Sequence, residues 1–386
     1  MANPQIKRFK GLNTVSDPLR LGLSWLTKAD NVNITDTGAI VKRTGYTLAG
    51  TGGYSGAYST LDFSRAYFVK GGNLVTFPGV TLKALTSDAP MYWAEINDQV
   101  FFNNGTDSGV ILPDNTVLDW GWEVPTAPNV AATTGSLPSG TYQVRCAFLL
   151  ADGRETGTGD SAEIAVTGEQ GIAISSIPQF PGAATRVYIA PANSDVYQLA
   201  ATTTSTALVW NFSNDALGLD LRTPFVDPIP HGTDVIQFYK GRAYAAQYMP
   251  EADQTVVWYS EPLAYHLFNL NSDFFIVPGH VLMMAPTDAA MVIGTEARVF
   301  SYTDNKLDWL ANYGVIPGQH WASDGDRILF WTTRGVCSAL PFTNLTEKSV
   351  SVAPGIKAGG TIVRQGGQKR YLAVLQQGGS AFNSNL

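Results

Sequence analysis

The sequence predicts an all-β protein, a propeller-like body interrupted by an inserted β-sandwich, and three observations carry that reading. β-Hairpin signatures recur along the chain. Their spacing is close to a blade period wherever they are uninterrupted. One long gap returns to that period when a block of different composition is removed from it. Ala66-Tyr67-Phe68-Val69-Lys70-Gly71-Gly72-Asn73-Leu74-Val75-Thr76-Phe77 is the clearest unit. Two apolar runs flank Gly-Gly-Asn, residues that accept the positive φ of a tight turn. Val100-Phe101-Phe102-Asn103-Asn104-Gly105 turns towards Val110-Ile111-Leu112 in the same way. Ala243–Ala246 precedes Thr255–Tyr259, Met291–Gly294 precedes Arg298–Tyr302, and Ile328–Trp331 turns at Arg334-Gly335 into Val336–Leu340. Arg370–Leu375, followed by Gly378-Gly379, closes the series. The first two hairpins start about 33 residues apart and the last four about 35 to 50 apart, as propeller blades do. The second and third are separated by about 140 residues, and removing 126–228 leaves about 40.

The first unit, residues 1–125, opens with an N-terminal segment. Lys7-Arg8-Phe9-Lys10-Gly11-Leu12-Asn13 begins it and Asp17-Pro18-Leu19-Arg20 turns it. Trp25-Leu26 leads to a strand pattern over Ala29–Ile34, and Asp36-Thr37-Gly38 turns into a return strand over Ala39–Tyr46. The first hairpins of the body follow. Residues 126–228 form the insertion, entered through the stiff Pro125-Thr126-Ala127-Pro128. Gly140–Leu150 reads as a strand, Ala151–Gly157 as a turn, and Ala162–Val166, Ile172–Ile174, Ala184–Ala190 and Tyr197–Ala200 as further strands. About seven short strands in about 100 residues are the signature of an immunoglobulin-like sandwich. Patterning and length resemble a fibronectin type III module, although no tryptophan stands out as that module's core residue. Residues 229–386 supply the remaining blades. The apolar period is two throughout, except that Pro262–Phe268 reads as one short helical turn.

Composition narrows the function classes. Charged residues are 15% of the 386, below the ~25% of ordinary soluble domains, and aromatics are 11%. A surface poor in charge suits a protein that assembles with neighbours. The net charge of −7 excludes a strongly basic nucleic-acid binder. Cys146 and Cys337 fall in separate units inside apolar strand patterns, so buried free thiols are expected, in keeping with a reducing compartment. No apolar leader is visible at the N-terminus, and no run of ~18 apolar residues provides a membrane span.

The sequence offers no catalytic constellation. It has no phosphate-binding glycine loop, no nucleophile elbow, no Cys-x-x-Cys and no histidine pair at zinc spacing. His231, His266, His280 and His320 are scattered in loop settings and read as structural. Asp324-Gly325-Asp326 could ligate calcium, but a solvated turn is the simpler reading. No pair of carboxylates is singled out for glycoside hydrolysis. No enzyme activity, cofactor or metal is therefore expected.

Gly11-Leu12-Asn13, Asp17-Pro18-Leu19-Arg20, Ala29-Asp30-Asn31-Val32 and Lys42-Arg43-Thr44-Gly45-Tyr46 occur in that order. This opening resembles tail proteins of tailed bacteriophages, and most closely the nozzle, or tail tubular protein B, of short-tailed phages. The motif-level resemblance covers about 45 N-terminal residues. The better-known nozzles are longer and carry extra domains. The resemblance implies a structural virion protein of the phage tail, assembled in the host cytoplasm. It implies a homo-oligomeric ring, usually a hexamer, that extends the portal–adaptor channel. Its partners would be the head–tail adaptor protein, tail fibre or spike proteins, and DNA passing non-specifically through the lumen, without stable membrane insertion. Phe9, Leu12, Leu21, Leu23, Trp25 and Leu26 are the expected apolar anchors of assembly, with Lys42 and Arg43 beside them. The competing expectations are a carbohydrate- or receptor-binding tail propeller without a channel role, and a glycan-degrading propeller.

Overall fold

The computed structural model describes residues 6–45, 47–48, 50–77, 79–323, 325, 327–365 and 368–378. They form an all-β chain built of many small sheets. The only helical turns among them are the 3-10 turns Asn214–Ala216 and Pro250–Ala252.

Five sheets share one plan, an antiparallel meander whose strands pair in sequence order. The first comprises Tyr54–Ser59, Ala66–Lys70, Asn73–Thr76 and Thr81–Ala84. The second comprises Tyr92–Ile96, Gln99–Asn103, Ser108–Ile111 and Val117–Leu118. The third runs Ile236–Tyr239, Arg242–Met249, Gln254–Glu261 and Ala264–Phe268, with Phe274–Pro278 also pairing with Gln254–Glu261. The fourth is Val281–Pro286, Met291–Thr295, Val299–Thr303 and Lys306–Ala311. The fifth is Ala322–Ser323, Ile328–Thr332, Gly335–Ala339 and Thr343–Asn344. A two-stranded hairpin, Lys357–Gln365 with Gln368–Gln376, follows.

Packing joins these sheets in chain order. Tyr67, Leu74, Trp93, Val100 and Phe102 fill the space between the first and second. Trp93 stacks on Tyr58 and Tyr67, and its Nε1 donates to the Gly56 carbonyl at 2.9 Å. Phe101, Phe238, Phe268, Met284, Ile293 and Phe300 bridge the second, third and fourth. Leu282, Val292, Val299, Ile328 and Phe330 join the fourth to the fifth. Trp331, Ala358 and Leu375 seat the last hairpin on the fifth. Strands such as Met291–Thr295, buried along their whole length, therefore need apolar side chains on both faces. The opening strands of the second, third and fourth sheets lie side by side. The space between them and Gln319 and Trp321 is a void of about 10 Å³, at the lower limit for one water.

The segment between the second and third meanders makes its own two sheets of seven strands. Asn129–Leu137, Gln170–Ser175 and Ala207–Trp210 form one, in that spatial order. The other runs Ala162–Val166, Gly140–Leu150, Ala183–Ala190 and Gln198–Thr203. Tyr142, Val144, Cys146, Ile172, Val187 and Trp210 fill the core between them. Trp210, 4% exposed, is buried in this core. Its strand, Ala-Leu-Val-Trp, is too short to read as a unit on its own. Close backbone contacts hold this segment against its own entry and exit. A Cβ on Gly157 would lie 1.7 Å from the Val226 carbonyl oxygen, and one on Gly159 would lie 2.3 Å from that of Pro125.

The hairpins at 66–76, 99–111, 242–261, 291–303 and 328–339 form as expected. Three local expectations differ. Residues 264–268 are a strand, not a helical turn, because Leu263 takes φ +60° and its N–H bonds the Gly241 carbonyl, turning the chain back onto Gln254–Glu261. The N-terminal return strand stops at Lys42, and Tyr46 lies outside the described residues. The final hairpin turns between Gln365 and Gln368, not at Gly378; Gly379 lies outside the described residues.

The two-sheet core of the middle segment uses no side chain from elsewhere. Residues 126–226 expressed alone should therefore melt in one cooperative transition. A melt without a transition would show that the segment is integral to the body.

Candidate functional site

The N-terminal segment is the candidate assembly site, and its fold is almost entirely backbone. Gly11–Leu12 pairs in parallel with Trp25–Leu26. Lys10 N–H bonds the Ser24 carbonyl at 2.8 Å and Asn13 N–H that of Leu26 at 2.7 Å. Val32–Ile34 and Ile40–Lys42 form a hairpin, with Phe9 N–H bonding the Gly38 carbonyl at its turn. Gly38 has φ +80°, and a Cβ there would lie 2.5 Å from the Arg8 Cβ, so only glycine lets the two pieces meet. Asn13, 7% exposed, accepts from the N–H groups of Val15 and Ser16 and fixes the exit turn. The segment is tied to the body through Thr14, whose N–H bonds the Ser349 carbonyl at 2.8 Å and whose Oγ1 accepts from Ser351 N–H at 2.9 Å.

Hydrophobic cover is what this segment lacks. None of the six buried apolar clusters among the described residues contains a side chain from 6–48. Phe9, Leu12, Leu21, Trp25 and Leu26 are half-buried, and the Trp25 ring lies against Gly11. Leu23 is 63% and Leu19 94% exposed; Ile40 and Val41 are exposed too. Lys42 and Arg43 are exposed at the end of the hairpin. Sequence reasoning picked the half-buried anchors but passed over Leu19, which lies in a turn motif. Charge separates the segment from the rest of the chain. Lys7, Arg8, Lys10, Arg20, Lys28, Lys42 and Arg43 stand against Asp17, Asp30 and Asp36, within a chain of net charge −7.

The histidines and cysteines are distributed through the fold. His231 is exposed beside Glu123 at 3.7 Å. His266 Nε2 lies 3.1 Å from the Glu155 carbonyl, between body and middle segment, and burial lowers its pKa. His280 stacks on Tyr248 and faces Asp234 and Glu296, whose carboxylates raise its pKa. His320 is fully buried. Trp331 N–H donates to its Nδ1 at 3.1 Å, so Nε2 carries the proton and donates to the Ile316 carbonyl at 2.9 Å. Cys146 and Cys337 are buried free thiols; burial pushes the first up to about 12, far from a reactive thiolate. Among the described residues no three His, Cys, Asp or Glu side chains could share a metal ion. Asp324 and Asp326 lie outside the described residues. Sequence reasoning also missed a cluster of tyrosines, Tyr239, Tyr244, Tyr259 and Tyr302, which meets at a cleft between the third and fourth sheets. Its only sequence signal is a tyrosine beside each of two tight turns, Tyr239-Lys240-Gly241 and Tyr302-Thr303-Asp304-Asn305.

No family model matches the chain, and no curated protein matches it. Solved structures with distant similarity include an extracellular domain from B. thetaiotaomicron, at 11% identity and TM-score 0.31, covering 81% of this chain and 36% of that one. PorZ, a surface component of the type-IX secretion system of Porphyromonas gingivalis, matches at 11% identity and TM-score 0.23, over 87% of this chain and 52% of its own. Apo AztD from Citrobacter koseri matches at 11% identity and TM-score 0.30, over 87% and 91%. The chain thus spans about a third to a half of the first two. None of the three is described as a tail protein.

Burial holds His320 neutral down to about pH 4, against about 6.5 for an unfolded histidine. Between those values the unfolded chain binds the extra proton, so stability falls as pH drops from 6.5 towards 4. The full contribution is about 3 kcal/mol. Chemical denaturation across that range should give a steeper loss for the wild type than for His320→Gln. Parallel profiles would show that His320 does not titrate as its burial requires.

Proposed function

We propose that this chain is a structural protein of a phage tail, a nozzle-like ring subunit that extends the portal–adaptor channel, conducts DNA during ejection and carries fibre attachment. The observation that carries the assembly part of this reading is the N-terminal segment. About forty residues are ordered by backbone hydrogen bonds, yet they expose Leu19, Leu23, Ile40 and Val41 and add nothing to the described core. Apolar side chains on a basic, weakly tethered arm suit the acidic surface of a neighbouring copy. Rim ion pairs from Lys42 and Arg43 would add only about 0–1 kcal/mol each, so the apolar residues must dominate. The tail assignment itself rests on the ordered motifs between Gly11 and Tyr46.

In this reading the five meanders and the last hairpin are the blades of a propeller. The seven-stranded unit is a fibronectin III-like module inserted between two of them. Its four-stranded sheet places its strands in the order third, second, fifth, sixth, the C′-C-F-G order of such sandwiches if the first strand is counted as B; the seventh strand, paired with the fourth, departs from that scheme. The opening strands of the second, third and fourth sheets pack side by side around a space of only about 10 Å³. DNA would therefore run through the lumen of the ring, bounded by several subunits. A closed heterologous contact, arm of one copy on body of the next, generates such a ring. The protein has no catalytic or cofactor role here. A carbohydrate- or receptor-binding role without a channel is the second reading, favoured by the tyrosine cleft.

Negative-stain imaging of the purified chain should show rings, with sixfold symmetry expected. Trp25→Ala and, separately, deletion of residues 1–10 should each cut ring yield by about tenfold or more, the loss expected for a buried aromatic anchor. The melting temperature of the body should stay within about 2 °C, because the segment adds nothing to its core. Wild-type ring yield from both variants would contradict the assembly role.

A further inference from the structure

The tyrosine cleft is a built site that neither the arm nor the ring requires. Its volume is about 370 Å³, in the range of small-ligand sites. Two hairpin turns frame it, Lys240-Gly241 in the third sheet and Asp304-Asn305 in the fourth. All four residues have positive φ, the mark of a rigid two-residue turn, and Lys240 adopts it at φ +46° without the freedom of glycine. Lys240 Nζ reaches Asp304 Oδ1 at 2.8 Å and joins the turns across the cleft. Tyr244 lies among the other three tyrosines, with centroids 5.7 to 6.1 Å away. Tyr302 stacks on Phe275 and donates to Asn305 Oδ1 at 2.8 Å. Arg242 donates to Asp273 Oδ2 at 3.1 Å and lies over the Tyr259 ring. The hydroxyls of Tyr244 and Tyr259 both line the cleft, and that of Tyr244 lies within hydrogen-bonding reach of Tyr302.

From this geometry we infer that the cleft binds a neutral saccharide unit. The charge pattern argues first. Each lining cation already has its carboxylate, Lys240 with Asp304 and Arg242 with Asp273. No uncompensated positive charge is left to hold a phosphate or a carboxylate. The lining argues next. It contains tyrosines, two cations, an aspartate and an asparagine, and no aliphatic side chain that would suit an acyl chain or an apolar peptide side chain. A sugar matches both facts. Its vicinal hydroxyls pair with phenol, amide, carboxylate and guanidinium groups, and its C–H edges tolerate aromatic ring edges. Rigid turns hold the polar groups in place before the ligand arrives, which lowers the ordering cost of binding. This inference does not rest on the tail assignment, and it holds for a ring subunit or a free protein.

The test is saturation-transfer NMR of the full chain with the methyl glycosides of glucose, mannose, galactose and rhamnose, with N-acetylglucosamine, and separately with inorganic phosphate monitored by calorimetry. At least one neutral sugar should bind saturably, and phosphate should not. Tyr244→Phe removes one hydroxyl at nearly constant volume, and Tyr259→Phe does the same nearer the rim. Each should weaken sugar binding by about tenfold, the loss of one good hydrogen bond, with the melting curve unchanged. Absence of binding to every sugar would overturn the inference. So would phosphate binding in their place, or sugar binding indifferent to both substitutions. Ring yield is a separate readout, so failure here leaves the assembly role untouched.

Discussion

A sheet of two to five short strands cannot bury both of its faces by itself, and the described chain is organised by where each sheet finds cover. The five meanders cover one another in sequence, each adjacent pair sharing one apolar cluster. The middle segment solves the problem internally, with seven strands in two facing sheets around Tyr142 and Trp210. The final hairpin leans one face on Trp331 and leaves Val363, Leu372 and Val374 exposed on the other. The N-terminal segment finds no cover among the described residues. Leu19 and Leu23 stay exposed there, which is why the proposed assembly role begins with this segment.

Polar groups support this arrangement by fixing how sheets meet. Arg65 donates to the carbonyls of Asp98 and Leu112 and so pins the first sheet to the second. Asn103 Nδ2 donates to the Thr233 carbonyl at 2.7 Å, and Trp120 Nε1 to that of Tyr265 at 2.8 Å, joining the second sheet to the third across the middle segment. Contacts that span about 130 residues of sequence must offset the entropy of closing that loop, a cost that grows only slowly with the length of the intervening segment. Glycines at 157 and 159 allow the segment's backbone to approach its own linkers, so it is tightly mounted even though its core is its own.

The hairpins were legible because two signals coincide in each: alternation of apolar residues, and Gly or Asn at turns needing positive φ. Where one signal is missing, the local pattern misleads. Pro262-Leu263 makes a tight turn without glycine, so the following strand looked helical. The last hairpin pairs Gln365 with Gln368, and the Gly366-Gly367 pair between them in the sequence is a turn signal as clear as that of the first hairpin. Trp210 belongs to a four-residue strand whose partner lies thirty-five or so residues away, beyond any local pattern. The N-terminal anchors were legible as residue types, but their exposure follows from the packing of everything else. The tyrosine cleft was least legible, since Tyr239, Tyr244, Tyr259 and Tyr302 meet only when two sheets pack.

Hydrogen exchange of the arm, compared between dilute monomer and assembled fractions, tests the need for external cover most directly. The amides of Val32–Ile34 and Ile40–Lys42 should exchange quickly in the monomer, because a three-residue hairpin without a core opens readily. In assembled fractions they should become protected, while Gln99–Asn103, buried within the body, stays protected in both. Equal and strong protection of the arm at every concentration would show that it is complete within one chain, and would contradict the assembly account.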